Sequence, residues 1–177
     1  AIVEHVLFAG ATRSRQSLTN IDISNFDFSK TTYLEKLFYG CSSLISIKFS
    51  DNLKTSKVRT MSGLFGLCSS LQSLDLSKFD TSQVTIFTQM FDGCKSLKSI
   101  DLSSFNTDSL IEAQNMFRDC EKLETLDLSK FQGVKLKYIY GMFSGCKSLE
   151  TLNINNMDTY QIRDMSNLFK GCEKLKT

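Results

Sequence analysis

Leu71-Gln-Ser-Leu74-Asp-Leu76-Ser-Lys-Phe79-Asp-Thr-Ser-Gln-Val84-Thr-Ile-Phe87-Thr-Gln-Met90-Phe91-Asp-Gly93-Cys94-Lys-Ser-Leu97 decides the fold, because the chain writes its pattern six times. A cysteine marks each copy. Cys41, Cys68, Cys94, Cys120, Cys146 and Cys172 stand 27, 26, 26, 26 and 26 residues apart. A fixed period of about 20–50 residues marks a stacked array, in which each unit buries its apolar face only against its neighbours. The fourth copy supplies Ile100, Leu102, Phe105, Leu110, Ala113, Met116, Phe117 and Cys120; the first supplies Ile21, Ile23, Phe26, Leu34, Leu37, Phe38 and Cys41. The second copy carries one extra residue near Asp51-Asn52, so Leu53 takes the place of Phe79.

Two periodicities alternate within a copy. Leu74-Asp75-Leu76-Ser77 alternates apolar and polar, which predicts a short strand with one buried face. The equivalent strands are expected over 20–24, 46–50, 73–77, 99–103, 125–129 and 151–155. Val84, Phe87, Met90 and Phe91 follow a helical stripe and predict a short helix over about 83–91. Asp80-Thr81-Ser82 offers oxygens to a helix start, and Gly93 offers the left-handed residue that ends one. Gly40, Gly145 and Gly171 share that place with Asp119 and Leu67, and Leu67 predicts a locally different turn, since left-handed backbone suits leucine poorly.

Composition fits a continuous core. The 177 residues are 41% hydrophobic with fourteen Phe, nine Gly and no Pro, so no linker interrupts the array. Phe38, Phe65, Phe91, Phe117, Phe143 and Phe169 predict one aromatic column; Phe26, Phe79, Phe105 and Phe131 predict a second. Burying each ring is worth about 1.5–3 kcal/mol. The net charge of +2 comes from interspersed basic and acidic residues, which is a solvated surface and not a nucleic-acid footprint. No apolar run approaches the ~18 residues of a membrane helix.

The cysteines read as small core residues facing their copies in adjacent coils. Rungs about 4.8 Å apart would allow bridging by distance. Equivalent side chains point in parallel, however, and predict free buried thiols without metal. The spacing lacks a C-x2-C pair, and the one histidine is His5. Enzyme chemistry finds no nucleophile elbow, phosphate loop or His cluster, so no catalytic residue and no cofactor are assigned.

Two exposed columns remain as candidate surfaces. Asp22, Lys48, Asp75, Asp101, Asp127 and Asn153 occupy the outward strand position. Asp75, Asp101 and Asp127, with Glu124 and Glu150 beside them, form the first candidate partner-binding face. They are expected to point to solvent, so that reversing the three Asp to Lys would leave the fold intact. A flat row of single carboxylates supplies too few oxygens for Ca²⁺. On the other side Tyr33, Thr60, Ile86, Glu112, Tyr138 and Asp164 form an outward column, and Tyr138 with Tyr140 is the second candidate face.

Leu71-x-x-Leu74-x-Leu76-x-x-Phe79 is the pattern of a leucine-rich repeat with Phe where Asn often stands. The longer signature L-D-L-S-x-F-D-T-S-x-V-T-x-x-x-x-M-F-x-G-C-x-S-L resembles the repeats of the BspA-like leucine-rich-repeat surface proteins, over about residues 19–177. The resemblance implies an α/β leucine-rich-repeat solenoid, right-handed, with a parallel β-sheet on one face and short helices on the other. It also implies a non-enzymatic adhesion or protein-interaction module at the cell surface or secreted, binding a protein or other macromolecule. Free thiols fit a cytoplasmic setting as well; the alternative readings are an intracellular structural scaffold or assembly subunit, and a hydrolase. Residues 1–18 read as a degenerate half-repeat or cap, with Leu7-Phe8 in the Met-Phe place, and 19–177 as one solenoid domain. The array stops where a seventh strand is due, so the chain is expected either to be part of a longer protein or to have that end covered by another subunit in an end-to-end contact at the uncapped last repeat.

Overall fold

The computed structural model describes residues 16–176. The expectations for residues 1–15, including the Leu7-Phe8 half-repeat and His5, lie outside them. The described chain winds into six stacked coils, taken here as 18–44, 44–71, 71–97, 97–123, 123–149 and 149–175. The result is a repeat, solenoid-like fold in which equivalent residues of successive coils are neighbours.

The strand face is present in part. β1 (Asn20–Asp22) pairs in parallel with β2 (Ser46–Lys48), and β3 (Thr125–Asp127) with β4 (Thr151–Asn153). The register is the repeat itself: Ile21 faces Ile47 and Leu126 faces Leu152. The strands expected over 73–77 and 99–103 do not form. Side-chain charge goes with the difference only in part, since Lys48 against Asp75 is an unpaired rung of opposite charge. The paired rungs set Asp22 beside Lys48, with Nζ 3.3 Å from the carboxylate, and Asp127 beside Asn153. The unpaired rungs would set Asp75 against Asp101 and Asp101 against Asp127, and like charges directly opposite destabilise a sheet.

No helix forms over 83–91 or its equivalents; the segment is a run of tight turns. Phe87, Gln89, Phe91 and Gly93 donate their N–H groups to the carbonyls of Glu112, Gln114, Met116 and Arg118 in the next coil, at 2.7–2.9 Å. The intervening Met90, Asp92 and Cys94 donate to Phe87, Gln89 and Phe91 three residues back, at 3.0–3.2 Å. An α-helix needs every amide for the carbonyl four residues back, so a segment that sends alternate amides to its neighbour cannot be one. Left-handed residues enforce the turns. Lys36, Gly63, Gln89, Asn115, Gly141 and Asn167 have φ between 54° and 60°, one per coil. Four residues later Gly40, Leu67, Gly93, Asp119, Gly145 and Gly171 are left-handed too, with φ between 55° and 77°. Leu67 therefore keeps the common turn at φ 60° instead of departing from it. A left-handed leucine costs about 1–2 kcal/mol. Its side chain lies in the space left by Gly93, where a Cβ would sit 2.7 Å from Leu67 Cδ2.

Asp80-Thr81-Ser82 closes a turn and clips two coils. Asp80 accepts the Ser82 N–H at 3.0 Å; Thr81 Oγ1 donates to the Asn106 carbonyl and accepts the Asn106 N–H, both at 2.9 Å. A second parallel ladder runs through single bridges at Tyr33, Thr60, Ile86, Glu112, Tyr138 and Asp164.

The core is one column between these faces. Phe38, Phe65, Phe91, Phe117, Phe143 and Phe169 stack with centroids 5.5–6.0 Å apart and planes within 12°. Phe79, Phe105 and Phe131 are buried, but the expected second column does not stack ring on ring. Phe79 meets Phe49 edge-on at 5.0 Å, and Phe105 meets Phe87 at 5.4 Å. Cys41, Cys68, Cys94, Cys120 and Cys146 are buried free thiols. Cys94 donates its S–H to the Phe65 carbonyl at 3.2 Å, and Cys68, Cys120, Cys146 and Cys172 repeat that bond. Burial pushes Cys94 and Cys146 up to about 12, which keeps them protonated and unreactive.

Candidate binding surfaces

The sheet-face acids have a structural duty that their exposure hides. Asp75, Asp101 and Asp127 each accept the backbone N–H of the serine two residues on, Ser77, Ser103 and Ser129, at 2.8–2.9 Å. Asp22 does so with Ser24, and Asn153 with Asn155. A short acceptor closing onto its own backbone two residues ahead is the turn for which Asp and Asn are selected. The three acids are exposed, as expected, but an ammonium group cannot accept the serine amide, so reversal to Lys removes a bond from each of three turns as well as a charge. The same bonds hold the carboxyls below their ordinary value, led in each case by the serine amide. In Asp22 the Ser24 hydroxyl leads and brings the pKa to about 2. The row is therefore ionised at neutral pH.

The neighbouring acids divide. Glu124 is exposed, and among the described residues its carboxylate makes no ion pair. Glu150 is taken up by Lys174 at 3.8 Å and Lys176 at 3.4 Å. The groove that Asp75 lines also holds Ser46, Lys48, Ser50, Asp51 and Lys78, so acids do not converge there. On the opposite ladder Tyr138 is half-buried between Glu112 and Asp164, while Tyr140 is 39% exposed. The fold thus places the two candidate faces on different ladders and does not bring their residues into one site.

The strongest polar contact escaped the sequence reading. Arg118 grips Asp92 with two bonds, Nε to Oδ1 at 2.8 Å and Nη2 to Oδ2 at 2.6 Å, and Gln89 adds a third at 3.2 Å. Asp92 is buried, and burial pushes its carboxyl up while the guanidinium bonds pull it partway back. The signal was available, since residues 92 and 118 are one period apart and so share a column. Glu121 sits likewise between Lys95 at 3.2 Å and Lys147 at 3.4 Å. Lys95, Glu121 and Lys147 thus form an alternating charge ladder across three coils. Among the described residues no group of His, Cys, Asp and Glu gathers to hold a metal, and no helix is long and apolar enough to cross a membrane.

Similarity to solved structures is loose. A T. pallidum leucine-rich-repeat protein is 20% identical with a TM-score of 0.43, covering 90% of this chain and 72% of that one. A Bacteroides ovatus leucine-rich-repeat protein is 17% identical with a TM-score of 0.22, covering 90% and 66%. TLR13, solved as a complex with ssRNA13, is 15% identical with a TM-score of 0.23, covering 90% and 39%. At such values the likeness adds nothing to what the chain's own inter-coil bonds establish. No curated protein matches. One family does match, over residues 6–100 and again over 60–177, and two overlapping matches are what a repeat array offers a family pattern. The chain belongs to the family described as Mycoplasma protein of unknown function, DUF285.

Proposed function

We propose that this protein is a non-enzymatic binding scaffold that presents varied side chains on a rigid repeated frame to a macromolecular partner. One observation carries the reading. Tyr33, Ile86, Glu112, Tyr138 and Asp164 occupy the same backbone place in one bridged ladder and reach the surface at least in part, yet four residue types stand there, while Thr60 on the same ladder is buried. The buried places beneath, by contrast, keep Phe and Cys in every coil. Side chains that differ where the backbone does not are what recognition needs, since the frame has already lost the entropy that binding would otherwise cost.

The negatively charged sheet face of Asp75, Asp101 and Asp127, with Glu124 and Glu150 beside it, is the first contact surface; Tyr138 and Tyr140 are the second. The resemblance to BspA-like surface proteins supports a setting at the cell surface or in secretion. The clean variant replaces Asp75, Asp101 and Asp127 by Asn, which still accepts the serine amide but carries no charge. Wild type and variant are compared on an array of purified extracellular-matrix proteins and glycans at two salt concentrations. Salt-sensitive capture of at least one ligand by the wild type, weakened in the variant, is the expected outcome. Equal capture by both moves the contact to the Tyr138 and Tyr140 side. Capture of no ligand at low salt overturns the surface-scaffold reading.

A further inference from the structure

We propose that the groove at the turns of the first three coils binds a phosphate or sulfate ester group carried on a sugar. The turn that leads into the bridged ladder is closed in most coils by a short acceptor. Asp27 accepts the Ser29 N–H at 2.8 Å, Asp80 that of Ser82 at 3.0 Å, Asn106 that of Asp108 at 2.9 Å and Asp158 that of Tyr160 at 2.8 Å. In the second coil Lys54 stands in that place. The turn itself is kept: Val58 donates to the Thr55 carbonyl at 2.9 Å, as Val84 does to that of Thr81 at 2.9 Å. Among the described residues, however, the Ser56 N–H has no acceptor. A donor is thus presented where neighbouring coils hold a carboxylate oxygen, and the carboxylate has been exchanged for a cation.

The surroundings favour an anion. Thr32, Ser56, Lys57, Arg59, Ser82 and Gln83 line a groove of about 490 Å³, and among the described residues no carboxylate lines it. Lys57 and Arg59 are exposed. The backbone of Arg59 is held from both sides: its N–H donates to the Thr32 carbonyl at 2.8 Å, and its carbonyl accepts the Thr85 N–H at 2.8 Å and hydroxyl at 3.1 Å. The acids one coil away are engaged. Asp27 closes on Ser29, and one oxygen of Asp80 takes both the amide and the hydroxyl of Ser82. The fifth coil also lacks the closing acceptor, with Gln132 in its place, but Asp158 lines the groove there.

Chemistry specifies the occupant. A guanidinium, an ammonium and a backbone N–H on one groove match a tetrahedral oxyanion, whose several oxygens can each take a charge-assisted bond. Thr32 and Gln83 both donate and accept, as sugar hydroxyls require. The volume lies within the roughly 300–1,000 Å³ of small-molecule sites and leaves room beside the oxyanion.

The test follows the Ser56 amide by NMR while the intact protein is titrated at low salt with inorganic phosphate, inorganic sulfate, glucose-6-phosphate and glucose-6-sulfate. The expected result is a saturable shift of that N–H, with one sugar ester binding about tenfold or more tightly than its inorganic anion. The tighter ester identifies the group. Lys57→Gln and Arg59→Gln each weaken binding about tenfold. Lys54→Asp restores the acceptor that the neighbouring coils carry, so it keeps the turn closed and abolishes the shift. No saturable shift with any of the four at tens of millimolar overturns the proposal, and so does undiminished binding by the folded Lys54→Asp variant. An inorganic anion that binds as tightly as its ester overturns the assignment to a sugar. Replacing Asp75, Asp101 and Asp127 by Asn leaves the Ser56 shift intact, so this site and the scaffold's sheet-face contact fail separately.

Discussion

Phe143 and Phe169 occupy the same place in successive coils and stack on each other, yet one is 1% exposed and the other 40%. The same holds one turn earlier, where Ile139 is 3% exposed and Met165 49%. The stacked ring is kept between the fifth coil and the sixth while Ile139 gives way to Met165, and among the described residues no coil lies above the sixth. In a solenoid, burial belongs to the neighbour as much as to the residue, because stability is a sum of coil and interface contributions. Among the described residues, interior coils meet two neighbours and the sixth meets one.

The largest expected consequence is an asymmetry in the aromatic column. Phe117→Ala opens a hole between two rings and should cost about 3–5 kcal/mol. Phe169→Ala removes a ring that is already partly wet and should cost about 1 kcal/mol. Urea unfolding of the two variants measures both; equal costs would mean that the sixth coil is capped in solution.

Next in size is the interior ion pair, which has no counterpart at the end, where Ser144 and Lys170 stand in the same column. Arg118→Met strands the buried Asp92 carboxylate and should cost about 3 kcal/mol, recovered in part by adding Asp92→Asn. A double-mutant cycle in thermal unfolding reads the coupling. Independence of the two changes would show that Arg118 is merely a surface group.

A smaller contrast uses two left-handed glycines. Gly93→Ala meets both an unfavourable φ of 71° and the Leu67 side chain at 2.7 Å. Gly171→Ala meets φ 74° alone, with its nearest neighbour at 3.7 Å. Backbone strain of about 1–2 kcal/mol is common to both, so the excess at Gly93 isolates the contact between coils. Equal losses would mean that Leu67 moves aside without cost.

The smallest effect is acid sensitivity. Asp22, Asp75, Asp101 and Asp127 have carboxyls depressed in the fold, so their stabilisation is present above the ordinary carboxylate value and fades as pH falls through the folded value, about 2 for Asp22. Asp92 runs the other way: its folded value is raised, so protonation on acidification favours the fold. Replacing the four turn acids by Asn should flatten the decline in melting temperature between about pH 4 and 2. An unchanged slope would mean that the turns hold without their carboxylates.

The repeat itself was legible because a period needs only composition and spacing. The 26-residue step placed the Phe column, the buried thiols and the Tyr33-to-Asp164 ladder in register before any coordinates. The helix over 83–91 was a misreading with a physical cause. Val84, Phe87, Met90 and Phe91 face one way in a turn run as in a helix, so side-chain periodicity cannot tell the two apart. What separates them is the destination of the alternate amides, and those go to a residue one period away. The Asp75, Asp101 and Asp127 column was legible as exposed, but its duty in closing turns was not, because that depends on the local backbone path; the Tyr33-to-Asp164 column, expected to point outward, is in part sunk, with Thr60 buried and Tyr138 half-buried.

Sequence alone therefore determined which residues repeat, which are apolar and how far apart their copies lie, since these are properties of a one-dimensional pattern. Tertiary structure alone decided that Asp92 meets Arg118, that Leu67 fills the space left by Gly93, and that alternate amides of each turn run go to the next coil. Each depends on what the adjacent coil places within a few ångströms, and that is fixed only once the coils are stacked.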